Sequence, residues 1–200
     1  ASASPFFATL LFSHLALAVA VLLIAWVNEE YWLATALVPV LAFATGLNRA
    51  PEPGRELAFA GAVYALFIVF PLLLGDRARR AHHPYLAAVL ASAPFFFFAR
   101  SAIVDAGHGG IIGILPVAQA VLLLVLVWRL VRMEVPSERL LGRLALVAGA
   151  ALAFITVAIP LQLDRQWITI GWALEAPALL WLFQRVPHRA LLLWAAVLFG

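Results

Sequence analysis

Long apolar runs, broken by short polar segments, dominate the pattern along this 200-residue chain. The runs do not alternate apolar and polar residues as half-buried strands do, and each is about twice as long as a strand of a membrane barrel. A helix needs about 20 apolar residues to cross the hydrocarbon core of a bilayer. The pattern therefore predicts an all-α, polytopic transmembrane helical bundle with seven to eight spans: residues 5–27, 31–47, 57–74, 85–104, 111–131, 140–161, 167–183 and a truncated 190–200.

The connections between the predicted spans are short and rich in turn residues. Residues 48–56 carry two prolines and a glycine, and residues 105–110 carry three glycines, both typical of helix breaks. Because no connection could hold a soluble domain, residues 1–200 are expected to form a single integral-membrane domain. The chain begins without Met and stops within an apolar run, which predicts that it is part of a longer chain.

Three segments resemble one another and indicate hairpin repeats. They cover residues 36–42, 113–119 and 171–177, and each is expected in the second helix of a hairpin. Pro39 and Pro116 align, and Glu175 follows the matching position of the third segment. Internal repeats are common in transporters. Chance similarity between helices rich in Ala and Leu is an equally good explanation, and both stay open.

Composition supports the membrane interpretation. Hydrophobic residues make up 66% of the chain and charged residues 12%, against about half and a quarter in soluble domains. The absence of cysteine excludes disulfides, iron–sulfur clusters and cysteine-type zinc sites. The net charge of +3 comes from arginines near the span ends, so topology explains it better than a nucleic-acid partner does. Membrane lipids are the expected partners.

The arginines also predict the orientation. Nine of the thirteen fall on the side of the connection at residues 75–84, and four fall on the other side. Since short cytoplasmic loops carry the excess of Arg and Lys, that connection is expected in the cytoplasm. The start of the chain and the turn at residues 105–110 are then expected outside.

Glu175 is the leading candidate for a functional residue. It lies eight residues after Trp167, about 12 Å along a helix, and so near the middle of the predicted seventh span. A charge there costs roughly 2.5–3.5 kcal/mol on insertion scales. Two interpretations stay open: a proton-relay or substrate-binding group, and a structural hydrogen bond to a neighbouring helix. Trp172, one turn earlier, is either a hydrogen-bond donor to a ligand or a packing residue.

Four other polar residues are weaker candidates for binding substrate or protons. Arg100 either pairs with an anionic group or extends towards the interface. Gln119, alone in an apolar span, either lines a site or bonds a neighbouring helix. Asp164 and Arg165 either line an external entrance or are a solvated pair in a turn.

No motif for nucleotide hydrolysis, serine hydrolysis or dinucleotide binding occurs in the sequence. Asp105 and His108 are spaced as two metal ligands, but a zinc site needs a third or fourth. We therefore assign no catalytic residue, no cofactor and no metal, and an enzyme is the less favoured class.

One segment resembles a known family. Ile159-Pro-Leu-Gln-Leu163, Trp167, Thr169 and Trp172-Ala-Leu-Glu175 are similar to the signature of the bacterial predicted membrane proteins called domain of unknown function 2339 (DUF2339). The resemblance implies a multi-pass protein of the bacterial inner membrane, usually a longer chain with more spans. It implies no established activity. Pro177 departs from the pattern and would move a helix kink.

Three functional hypotheses follow. The first is a transporter or flippase-like protein for an envelope-related amphipathic substrate, suggested by Glu175, the prolines and the possible repeats. The second is a structural or assembly subunit that contacts other membrane subunits or itself, suggested by the short loops and missing motifs. The third is a membrane transferase acting on a lipid-linked substrate, for which Asp105, His108 and Asp164 are the only candidate bases.

Overall fold

The computed structural model describes residues 5–47, 53–75, 81–133 and 141–162, and every regular element in these ranges is a helix. Each of the first six predicted spans coincides with one α-helix, which confirms the all-helical class. The spans predicted at residues 167–183 and 190–200 lie outside the described residues. In order, the elements are α1 Pro5–Val27, α2 Trp32–Leu47, α3 Pro53–Leu73, α4 His83–Asp105, a 3-10 turn Gly109–Ile111, α5 Ile114–Met133 and α6 Leu141–Gln162.

Within the described residues, four helices are long and apolar enough to cross a membrane by length and composition. Two further apolar helical stretches, Phe12–Val27 and Trp32–Gly46, are shorter. The four longer ones are Pro53–Leu73, His83–Asp105, Gly109–Met133 and Leu141–Leu161.

Helix α3 begins earlier than the sequence predicted. The predicted span started at residue 57 and left residues 53–56 in the connection, whereas α3 starts at Pro53. Proline suits the first position of a helix because its fixed φ is helical and its missing N–H would have had no partner there. This earlier start places Glu56 in the first turn of α3, where its side chain is buried.

The chain divides into two compact units, residues 1–109 and 110–200. In the first unit, α1–α2 and α3–α4 are antiparallel hairpins, and they meet through contacts of α1 with α3 and of α2 with α4. The His14 and Phe59 rings lie 6.1 Å apart, and Thr35 Oγ1 lies 3.2 Å from His83 Nδ1. These pairs show that α1 runs parallel to α3 and α2 parallel to α4.

The four helices of this unit therefore share two ends. We call the end where α3 begins and α4 finishes the Pro53 end, and the opposite one the Trp32 end. At the Trp32 end, Trp32 Nε1 donates a 2.6 Å hydrogen bond to the exposed Glu30 carboxylate. At the Pro53 end, α4 finishes in a reversed turn.

That reversed turn at the end of α4 depends on Gly107. Its φ of +76° is in the left-handed region that residues with a Cβ rarely adopt. The Gly107 N–H donates to the Val104 carbonyl, and the His108 N–H donates to the Ile103 carbonyl. This pair of bonds is the Schellman motif, which satisfies the last carbonyl groups of a helix.

Small residues occupy many of the contacts between helices in the first unit. Many of its most buried residues are alanines, whereas large apolar side chains such as Phe43 and Phe97 are exposed. This is the distribution expected in lipid, where apolar side chains gain little from leaving the surroundings and small residues let helices approach closely. The fully buried alanines are Ala18, Ala25, Ala34, Ala87, Ala88 and Ala99.

The described part of the second unit is the α5–α6 hairpin. Leu123, Leu126 and Val147 are fully buried. Pro116 lies in the first turn of α5, while Pro39 lies in the middle of α2. Moreover, α5 is the first helix of its hairpin and α2 the second, so these two prolines do not occupy equivalent positions. The third repeat segment lies outside the described residues.

Candidate functional site

The structure describes two of the six candidate residues from the sequence. Glu175, Trp172, Asp164 and Arg165 all lie outside the described residues. Arg100 is exposed on α4, five residues before that helix ends. Gln119 is fully buried on α5 in the second unit, with 1% of its surface exposed. The roles predicted for all six remain predictions.

The first unit contains a small, mostly apolar cavity with two hydroxyl groups in its lining, which the sequence did not predict. It lies between α2, α3 and α4 and has room for water-sized molecules in about 30 Å³. That volume is enough for one or two waters. We call it the hydroxyl cavity, and it is lined by Val38, Leu41, Ala42, Thr45, Ala60, Val63, Tyr64, Phe67, Ala91, Pro94, Phe95 and Phe98.

Tyr64 supplies a hydroxyl group to the lining of the hydroxyl cavity, and Ser92 bonds to it from behind that lining. Their hydroxyl oxygens lie 3.1 Å apart, and Ser92 Oγ also donates a 2.9 Å bond to the Ala88 carbonyl. Because the serine has a single proton and uses it on Ala88, the Tyr64 hydroxyl is the donor in the first bond. Both side chains are buried, so this chain of bonds holds α3 against α4 at the side of the cavity that Tyr64 lines.

A second hydroxyl group in the lining of the cavity comes from α2. Thr45 on α2 is buried and donates a 2.7 Å bond to the Leu41 carbonyl, one turn earlier. This bond leaves the threonine oxygen able to accept from a water or a ligand. Two of the three helices around the cavity therefore contribute polar atoms through side chains that line it.

Aromatic rings form much of the remaining wall. Tyr64 and Phe95 are stacked, with ring centroids 4.5 Å apart and planes inclined by 6°. Phe67 and Phe98 complete this wall. Flat rings next to hydroxyl groups suit a ligand with both an apolar and a polar part.

Glu56 is buried next to the hydroxyl cavity, and the sequence reasoning missed it. Its side chain is 6% exposed, and its Oε1 finds no hydrogen-bond partner among the described residues. It lies four and seven residues before Ala60 and Val63, so it shares the face of α3 that lines the cavity. The proline at position 53 could have revealed it, because a helix starting there includes Glu56 in its buried stripe.

A second, purely apolar pocket lies between α1 and α3. It has room for water-sized molecules in about 110 Å³, and its described lining contains no charged residue. Such a pocket fits a hydrocarbon chain rather than water, since it offers scarcely any hydrogen-bonding group. It is lined by Val19, Leu22, Leu23, Trp26, Leu66, Val69, Phe70 and Leu73.

A comparison with known protein families shows to which family this chain belongs. The profile of the family described as "Predicted membrane protein (DUF2339)" matches residues 4–200. The chain belongs to this family. The resemblance predicted from residues 159–175 is thereby confirmed, and the DUF2339 chain is a membrane protein. No curated protein and no solved structure matches it.

The described residues of this DUF2339 protein contain no group of three His, Cys, Asp or Glu side chains that could hold a metal ion. Asp105 and His108 are both exposed at the Pro53 end. The exposed position leaves them solvated, as expected for residues in a connecting turn.

Arginines gather where α5 ends and α6 begins in the DUF2339 chain. The Arg132 guanidinium lies 4.5 Å from the centre of the Trp128 ring, a cation–π contact. Arg129 lies one turn earlier and is half-buried, and Arg143 on α6 is 1% exposed. This basic end of the hairpin belongs to the side that the arginine count predicts to be cytoplasmic.

Proposed function

We propose that this DUF2339 protein is a transporter, flippase-like in action, which moves an envelope-related amphipathic substrate across the bacterial inner membrane. The hydroxyl cavity carries the proposal. It lies between the shorter apolar helix α2 and two helices, α3 and α4, that have the length and composition of membrane spans. An unsatisfied polar group inside a membrane costs several kcal/mol. A packed bundle needs no such opening, whereas an amphipathic substrate needs both hydroxyl groups and apolar walls.

The wall chemistry supports a substrate with two parts. The Tyr64 and Thr45 oxygens line the cavity and can bond a polar head group, and the Phe95 and Phe98 rings can pack against a hydrocarbon part. At about 30 Å³ the cavity is much smaller than a typical ligand pocket of about 300–1,000 Å³. The proposed cycle therefore includes a second, opened conformation of α2, α3 and α4.

Reconstitution tests this proposal. The purified full chain is placed in liposomes that carry a phospholipid with a fluorescent tail, and dithionite quenching reports the rate of movement between leaflets. We expect the protein to accelerate movement. Ala42→Phe, which fills the hydroxyl cavity, should lower the rate about tenfold, equal to about 1.4 kcal/mol in the barrier.

The control is Ala36→Phe on the same helix, where residue 36 is exposed and not part of the cavity lining. It should leave the rate unchanged. Equal rates for the wild type and Ala42→Phe, or no acceleration over empty liposomes, would contradict the proposal.

A structural or assembly subunit is the second candidate, and the small size of the hydroxyl cavity favours it. A dry bundle that only supports partner subunits can tolerate a cavity for one or two waters. In that case, the full chain should co-purify with other membrane subunits in a fixed ratio, and Ala42→Phe should alter stability without altering any transport rate.

A further inference from the structure

Glu56 is the described carboxylate that the packing of the first unit leaves buried without matching its charge. Its side chain is 6% exposed, while Glu29, Glu30 and Asp105 are exposed. A buried carboxylate oxygen without a donor costs more than a neutral polar group, because it has exchanged water for an apolar environment. A buried polar atom without a hydrogen bond is rare in folded proteins, so Glu56 Oε1 calls for an explanation.

Arg100 does not supply that donor. The Tyr64–Ser92 bond and the approach of Gly61 to Phe95 set the register of the antiparallel helices α3 and α4. Glu56 lies five residues before Gly61 on α3, and Arg100 lies five residues after Phe95 on α4. This register therefore places the two residues at the same level. Arg100 is nevertheless exposed, and no ion pair joins the two in the described part of the chain.

The hydroxyl cavity begins one helical turn from Glu56. Ala60, four residues later, lines the cavity, and the intervening rise is about 6 Å. Thr45 and Phe98 also line the cavity. Phe98 lies three residues beyond Phe95, towards the level of Glu56, and it approaches Gly46, the neighbour of Thr45. A molecule could therefore hold a positive head at Glu56 and extend an apolar part between α2, α3 and α4.

We propose that Glu56 and the hydroxyl cavity form one binding site for an amphipath with an ammonium head group. The ammonium donates to Glu56 Oε1, and the hydrocarbon part packs against Phe95 and Phe98. The ligand chemistry is set by Glu56: a negative oxygen lacking a donor selects a cation with N–H groups over a neutral or anionic head. This inference rests on the cavity used in the proposed function and names its substrate class.

Ligand-induced stabilisation tests the site without a transport assay. The full chain in a neutral detergent is titrated with octylammonium chloride or with octanol, and thermal unfolding gives an apparent affinity for each. The two probes share a tail and differ in the head. The wild type should prefer octylammonium by about tenfold or more, the ratio expected from one charge-assisted hydrogen bond.

Two variants test the contact with the ligand's head group and the contact with its tail separately. Glu56→Gln should abolish the preference for octylammonium and leave the affinity for octanol. Ala42→Phe should lower the affinity for both probes by the same factor and so keep the ratio of the two affinities. Asp105→Asn, which removes an exposed carboxylate at the same end of the unit, should change neither value, and it controls for charge at the micelle surface.

A wild type without preference for octylammonium would overturn the inference, and so would an unchanged preference in Glu56→Gln. If Glu56→Gln fails to fold, the ratio of the octylammonium and octanol affinities of the wild type still decides the test. Failure of the proposed transport function is distinguishable, because it would appear as unchanged lipid movement while the binding preference persists.

Discussion

At the scale of single residues, the Tyr64–Ser92 bond is the interaction that most clearly combines packing and chemistry in the first unit. It joins α3 to α4 and holds the Tyr64 hydroxyl in place at the lining of the hydroxyl cavity. Tyr64→Phe removes the donor but keeps the ring stacked on Phe95. We expect a loss of about 1 kcal/mol in the free energy of unfolding, the usual net value of one hydrogen bond.

Equilibrium unfolding in mixed micelles measures this loss, with Ser92→Ala and the double variant completing a mutant cycle. The cycle should give a coupling energy of about 0.5–1.5 kcal/mol. Additive effects of the two single substitutions would show that the bond contributes nothing.

The sequence draws attention to some polar residues inside apolar runs and overlooks a buried carboxylate. Glu175 and Gln119 were visible because a lone polar residue inside an apolar run is conspicuous. Glu56 was not, since it lies beside Arg55 and two prolines and looked like part of a polar connection. Its burial depends on where α3 starts and on packing against other helices, neither of which a hydropathy pattern records.

At the scale of helices, apolar run length predicted six elements to within four residues at each end. The match is close because a run of about 20 apolar residues has little alternative to a helix in lipid. The largest error was the start of α3, where Pro53 begins the helix rather than ending the connection. Proline and glycine mark breaks in a pattern but do not say on which side the helix lies.

Two glycines give a matched test of helix conformation. Gly61 lies in the middle of α3, and an added Cβ would meet only the Phe95 ring at 4.0 Å, an ordinary contact. Gly61→Ala should raise the free energy of unfolding by about 0.5–1 kcal/mol, since alanine loses less backbone entropy in a helix.

Gly107→Ala should do the opposite, because φ is +76° there and the Schellman motif at the end of α4 requires it. We expect a loss of about 1 kcal/mol, the lower end of the cost of holding such a residue in the left-handed region. Thermal unfolding of both variants checks the pair. The same sign for both would contradict the helix assignments at these positions.

At the scale of the whole molecule, the packing order of the first unit could not be read from the sequence. Hydropathy is high on every side of these helices, so no stripe shows which face meets which neighbour. In the structure, alanines and a few aromatic residues such as Phe67 and Tyr85 are buried in the contacts, a pattern that becomes visible only once the contacts are known. The family, in contrast, was recognisable from residues 159–175, and the match over residues 4–200 confirms it.

The orientation of the chain is testable because it contains no cysteine. Glu29→Cys lies at the Trp32 end of the first unit and His108→Cys at the Pro53 end, and both positions are exposed. In intact spheroplasts, a membrane-impermeant maleimide should label His108→Cys but not Glu29→Cys, because the arginine count places the Pro53 end outside. Labelling of Glu29→Cys alone would show the reverse orientation, and labelling of both would contradict a membrane crossing between them.

The measurement that tests the account most directly is the water accessibility of two neighbouring positions on α2. Val38 is 5% exposed and lines the hydroxyl cavity, whereas Val40 is 56% exposed and faces the surroundings of the bundle. The variants Val38→Cys and Val40→Cys are treated in membranes with a charged methanethiosulfonate reagent, which modifies thiols that water reaches. A transport site predicts modification at Val38→Cys and none at Val40→Cys, because the cavity is hydrated and the outer face meets lipid. An unreactive Val38→Cys would show a dry bundle and contradict the account.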